Sequence, residues 1–250
     1  MNKFVLCASL CLGLFFAACG DDSSSATRLS EESSSSVASP MSSWSGGGAG
    51  TIGSITDTRD GQTYKTVSIG AQTWMAQNLN YETANSYCYS NNASNCTKYG
   101  RLYTWAAAMD SAGMWSANGK GCGYYKTCTP TYPVRGVCPE GWHLPTKAEF
   151  KTLFTAVGGS VTAGTKLKST TGWNSSGNGT DDYSFSALPA GRMNYIGSYL
   201  NEGNYAYFWS STEYNSDDAF SMYLNYDYDD AYPDYSHKNF GFSVRCVKDE

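Results

Sequence analysis

Charge is scarce in this 250-residue sequence. Asp, Glu, Lys and Arg make up 16% of it, and Lys+Arg 17 against Asp+Glu 22 leave a net charge of −5. Between residues 193 and 237 there is no Lys or Arg at all. That mild acidity argues against nucleic acid and anionic lipid headgroups as partners. Histidine is rarer still, with 2 residues, and no Cys-x-x-Cys pair occurs, so no metal site of the usual zinc spacing is expected. "GSVTAGTK" (residues 159–166) lacks the Gly-Lys-Ser/Thr ending of a phosphate-binding loop. The one long apolar run, residues 4–18, is shorter than the about 20 residues a spanning helix needs.

That run has another use. One positive charge at Lys3, a short apolar stretch and small residues before Cys19 follow the grammar of a secretory signal. "FAAC" resembles a bacterial lipobox, so residues 1–18 are expected to be removed and Cys19 to be lipidated, anchoring the chain to a membrane. Gly20, Asp21 and Asp22 after the anchor point to the outer membrane and its cell-surface face. Of residues 20–55, 13 are Ser and 6 are Gly, too little apolar surface to offset the entropy of ordering. Residues 19–56 therefore read as a flexible tether reaching roughly 30–36 Å. Residues 57–250 read as one domain.

Six cysteines remain after the anchor, and an even number in an exported chain implies disulfides, although six allow fifteen pairings. Short spacings favour Cys88–Cys96 and Cys122–Cys128, which leaves Cys138 with Cys246. The spacing of Leu102, Trp105, Ala106 and Met109 predicts a helix, and Phe150, Leu153, Phe154 and Val157 predict a second. The second has a capping box at Thr146 and Glu149 and a stop at Gly158-Gly159. Strand alternation places Phe220, Met222, Leu224, Tyr226 and Tyr228 on one face, and Phe240, Phe242, Val244 and Cys246 on another. Two helices with antiparallel strands and long loops give an α+β fold.

"VCPEGWHLPTKAEF" (residues 137–150) gathers Cys138, Trp142 and His143. It reads as scaffold: no nucleophile lies beside His143, and Cys138 is expected in a disulfide. "GVCPEGWHLPTKAEF", "YCYSNNASNCTKYGRLYTWAAAMD", "KLKSTTGWNSSGNGTDDYSFSALPAG", "YFWSSTEY" and "FGFSVRCVKD" together resemble the Fibrobacter succinogenes major paralogous domain over residues 57–249. More distantly, "HLPTKAEF" with "GFSVRC" is similar to the formylglycine-generating-enzyme and C-type-lectin-like fold group. The resemblance implies a C-type-lectin-like domain but no reaction. A copper-dependent oxidase of the formylglycine type would need free thiolates, with Cys246 as its candidate and no second cysteine near it in the chain. The chain is therefore expected not to be an enzyme.

Binding is the expectation instead. Residues 193–237 hold ten tyrosines among acids and amides, a composition suited to stacking on sugar rings or to a protein surface. The candidate ligand-binding residues are Trp209, Tyr214, Asp217 and Asp218, with Tyr226, Asp227, Tyr228, Asp229 and Tyr232 in the "YDYDDAYPDY" segment. No cofactor is expected. Calcium is the one ion considered, at Asn178, Asp181, Asp182 and the cluster from Asp227 to Asp230. The Glu-Pro-Asn, Gln-Pro-Asp and Trp-Asn-Asp triplets of sugar-binding lectins do not occur. The expected partners are the membrane, through the anchor, and an extracellular polysaccharide or an envelope protein, with a ligand-free surface coat as the competing reading.

Overall fold

The structure, a computed structural model, describes residues 50–250. The expected signal segment 1–18, the expected anchor Cys19 and the expected tether up to residue 49 lie outside the described residues. Regular structure is present before residue 57: strand β1 (Ile52–Thr56) pairs antiparallel with β2 (Thr63–Ile69), Ile52 opposite Val67 and Thr56 opposite Thr63. Ile55 packs against the core, and that contact outweighs the surrounding Ser/Gly composition.

Along the chain follow β3 (Gln72–Met75), β4 (Ser86–Tyr87), helix α1 (Ala93–Tyr99), β5 (Leu102–Tyr103), α2 (Trp105–Ala108) and β6 (Trp142–His143). After them come α3 (Lys147–Ala156), α4 (Ser160–Leu167), β7 (Arg192–Met193) and β8 (Tyr199–Leu200). The chain ends with β9 (Tyr205–Glu213), β10 (Asp218–Asn225), β11 (Ala231–His237) and β12 (Val247–Lys248). One sheet has the order β1-β2-β3-β12-β6 and a second the order β11-β10-β9, all pairs antiparallel. Residues 109–141 carry neither helix nor strand. The three disulfides join Cys88–Cys96, Cys122–Cys128 and Cys138–Cys246, the pairs their spacing predicts. Among the described residues no helix is long and apolar enough to cross a membrane.

Among the described residues four α-helices and one short 3-10 turn (Tyr89–Asn91) replace the two helices expected. The capping box holds: Thr146 Oγ1 accepts from the Glu149 backbone N–H at 3.1 Å, and Glu149 Oε2 accepts from the Thr146 N–H at 2.6 Å. Gly158 and Gly159, at φ 100 and 103°, end α3 and turn the chain directly into α4, whose Ala163 and Leu167 are buried. The predicted helix over 102–109 is shorter than its spacing implied. Leu102 and Tyr103 are extended, Tyr103 exchanging backbone hydrogen bonds with Phe242, and Thr104 caps a helix of only four residues. A pairing partner from the far end of the chain overrides the local helical period.

Three apolar clusters form among the described residues, the smallest around Tyr89, Tyr99, Leu102 and Met193. Trp105, Trp142, Trp209 and Phe242 surround the Cys138–Cys246 bridge in the first. In the second, Phe208, Met222 and Leu224 from the three-stranded sheet meet Phe150, Leu153 and Phe154 of α3 and Leu167 of α4, with Trp74 and Phe185 beneath. Each such side chain contributes about 1.5–3 kcal/mol by leaving water. The helices thus cover one face of the sheet, and the opposite face carries the candidate site.

Candidate binding site

On the face away from α3, strand alternation aligns Tyr205, Tyr207 and Trp209 of β9 with Asn225, Tyr223 and Ser221 of β10. Tyr205 and Tyr207 stack at 5.4 Å and 10°, and Tyr223 lies 6.4 and 6.3 Å from them. Tyr207 also stacks on Phe242 at 4.8 Å. These rings floor a groove of about 430 Å³, rimmed by Tyr228, Tyr235, His237 and Phe240. Arg192 enters from β7, its guanidinium 4.9 Å from the Phe240 ring and 5.4 Å from the Tyr207 ring. Its Nε is buried without a hydrogen-bond partner, as is Ser221 Oγ on the same face of the sheet. Asp218 and Asp234 add acceptors, and Asn225 donates to Tyr205 Oη at 3.2 Å. Burial raises the pKa of the Tyr207 and Tyr223 phenols, so both stay protonated and can donate. The groove therefore offers flat apolar faces ringed by donors and acceptors.

Sequence reasoning found part of this. Of the nine candidate residues, Asp218 and Tyr228 line the groove. Trp209 does not: it is fully buried, donating from Nε1 to Tyr103 O at 2.7 Å and stacking on Phe242 at 4.3 Å. It is a core residue, because Phe242 and Tyr103 cover it from outside the sheet. Tyr226 is half-buried against the second cluster, and Tyr214 stacks on Tyr235 at 4.2 Å. The Asp217 carbonyl accepts from the Lys238 N–H, and Asp227 and Asp229 lie exposed in the turn after β10. Tyr232 is exposed on β11 opposite Tyr223. Missed were Tyr205, Tyr207, Tyr223, Arg192 and Phe240. The alternation in "YAYFW" puts Tyr205 and Tyr207 on one face, but only the β9–β10 register brings Tyr223 beside them.

Several of the positions considered for calcium have partners within the protein. Lys168, 2% exposed, donates from Nζ to Asn225 O at 3.0 Å and Tyr228 O at 2.9 Å, inside the turn that carries Asp227, Asp229 and Asp230. Burial lowers the pKa of that ammonium, and the three aspartates oppose the shift. Asp181 accepts from the Ser186 N–H and hydroxyl, and Asn178 from the Trp173 N–H. Among the described residues no three His, Cys, Asp or Glu side chains group to hold a metal.

His143 lies away from the groove. Its Nε2 is 2.7 Å from Glu149 Oε1 and its Nδ1 is 2.7 Å from Asp249 Oδ1, tying β6 to the start of α3 and to the end of the chain. Cys138 and Cys246 are bonded to each other, so the free thiolate a copper site needs is not present at Cys246. Burial lowers the imidazole's pKa, but the two carboxylates outweigh it and the net shift is upward. Burial raises Glu149, and its bonds to His143 and Thr146 reverse that to a net lowering. The stabilisation from His143 is then complete below its ordinary 6.5 and is lost as pH rises through the raised value. That from Glu149 is present above its ordinary 4.5 and lost as pH falls through the lowered value. Stability is expected to peak between these limits. In a pH series of urea unfolding, His143→Gln should remove the alkaline decline, worth about 1.5–3 kcal/mol for a charge-assisted bond. An unchanged decline would assign it to other groups.

These elements define a disulfide-bonded mixed domain of few helices and several antiparallel sheets, with a tyrosine groove on the open face of one sheet. The chain belongs to the Fibrobacter succinogenes major domain family, whose model matches residues 67–248. No curated protein and no solved structure matches the chain.

Proposed function

We propose that this protein is a lipid-anchored module of the bacterial outer surface, without catalytic activity, that recognises an extracellular glycan through the tyrosine groove. The reading rests above all on the lining of that groove. Phenol rings lie beside the Arg192 guanidinium, and aliphatic side chains are absent from the lining. Sugar rings present C–H faces for stacking and hydroxyls for such donors and acceptors, whereas the apolar anchors of a peptide would seek aliphatic pockets. The irregular segment 109–141, the helices and the antiparallel sheets are the features that favour a C-type-lectin-like fold. The anchor at Cys19 and the Ser/Gly tether would hold the groove away from the membrane.

Passing the full chain, immobilised, over plant and bacterial polysaccharides tests the reading. We expect at least one to be retained. Tyr223→Ala with Tyr228→Ala should weaken that retention about tenfold or more, each ring contributing about 0.5–1.5 kcal/mol of stacking beyond its buried area. A calcium chelator should change nothing, since Lys168 already holds the acidic turn. Retention of none would favour a protein partner or a ligand-free coat.

A further inference from the structure

A second cavity adjoins the groove. It has a volume of about 420 Å³ and is lined by Asn85, Tyr87, Asn91, Tyr195, Tyr199 and Asn239 among others. Between the two stands a wall of stacked rings, Tyr195 facing the second cavity and His237 and Phe240 facing the groove. Tyr195 stacks on Phe240 at 6.1 Å and 14° and lies 5.5 Å from His237, while His237 and Phe240 are 5.8 Å apart. The same strand serves both sides: of the consecutive residues of β7, Arg192 lines the groove and Met193 the second cavity. The chemistry of the groove recurs beyond the wall, with three amides and three phenols and Met193 as the one aliphatic side chain. Tyr199 Oη donates to Asn91 Oδ1 at 2.7 Å, which fixes that amide's orientation. The Asn239 N–H donates to His237 Nδ1, leaving Nε2–H to donate elsewhere.

We propose that groove and second cavity are two subsites for one ligand, an oligosaccharide chain that crosses the Tyr195–His237–Phe240 wall. The proposal rests on the glycan reading above and adds the size of what is recognised: several linked sugars, not one. Each cavity lies in the lower part of the about 300–1,000 Å³ range of ligand pockets, so neither alone buries a chain. Tyr195 is 63% exposed, so a strand leaving the groove meets an open aromatic ring before entering the second cavity. Once one end is held, the other enters its subsite without a second loss of translational freedom, and affinity climbs with length.

Calorimetry with mono- to hexasaccharide ladders of β-1,4-linked glucose, xylose and N-acetylglucosamine would test this on the full chain. In the series that binds, affinity should rise about a hundredfold or more from the shortest to the longest member. Tyr195→Ala should flatten that rise, weakening the longest members about tenfold or more beyond the shortest bound member, and Tyr195→Phe should restore it. Tyr195 is exposed, so its loss should not unfold the protein, and an unchanged melting transition would verify that. Binding with no length dependence, or a Tyr195→Ala effect equal at every length, would overturn the two-subsite proposal and leave the glycan reading standing. No binding by any sugar of any length would overturn both.

Discussion

Replacing Cys138 and Cys246 together by alanine is expected to lower the unfolding free energy by about 4–5 kcal/mol, the largest effect of any of the three disulfides. The bridge closes a loop of sequence separation 108, against 8 and 6 for the other two. In the chain-entropy account the unfolded state gains freedom with the logarithm of loop length, so the short bridges should each be worth less than about 3 kcal/mol. The native state also depends on the long bridge. Cys246 O accepts from the Met75 N–H at 3.0 Å, and the next residue, Val247, pairs with both Trp74 and His143. The bridge thus holds β12 between β3 and β6 in the five-stranded sheet, where its two residues could not keep their register alone. Urea unfolding of the Cys138/Cys246 and Cys88/Cys96 double variants would compare the two cases. A larger m-value for the first would show that its unfolded chain expands, as the account requires. Equal losses from both pairs would contradict it.

What the sequence reveals and what it conceals divide along local and distant determinants. The disulfide pairing is legible because loop closure depends on spacing alone, and the Thr146 cap because its partner Glu149 is three residues away. Trp209 is misleading for the opposite reason. Alternation says which side chains share a face, but not which part of that face is covered by Phe242 and Tyr103, residues distant in the chain. The same limit hides the groove. Its floor needs the β9–β10 register, and its cation, Arg192, comes from a two-residue strand with no periodic signal. Nothing near the acidic turn after β10 announces in the sequence that Lys168, the residue after α4, reaches its carbonyls. The distant pairing of Tyr103 with Phe242 likewise turns the start of a helical pattern into a strand.

Arg245 shows how much the fold rests on one such distant contact, and Arg245→Met should cost about 3–5 kcal/mol. The side chain is wholly buried, yet its donors are met: Nε by Asn78 Oδ1 at 2.8 Å, Nη2 by Ser186 O at 2.8 Å, and Nη1 by the carbonyls of Phe185 and Met75. The guanidinium also lies 4.5 Å from the Phe185 ring. Burial pulls its pKa down to about 9, with Asp181 opposing, so it remains charged at neutral pH. Methionine would fill much of the volume but leave these acceptors in a dry interior, and each unmet carbonyl costs about 1–3 kcal/mol. Lysine would keep the charge and lose the planar fork that meets carbonyls on three sides, so Arg245→Lys should fall between the wild type and Arg245→Met. Asn78 is the test of the network. It also donates to Tyr99 O at 2.7 Å and Ser243 Oγ at 3.2 Å, joining the guanidinium to the end of α1 and to the segment before β12. Asn78→Ala and Arg245→Met should therefore be non-additive by about 0.5–3 kcal/mol in a double-mutant cycle of urea unfolding. Strict additivity would mean that Arg245 is held by the backbone carbonyls alone, and that the link to α1 contributes nothing to its stability.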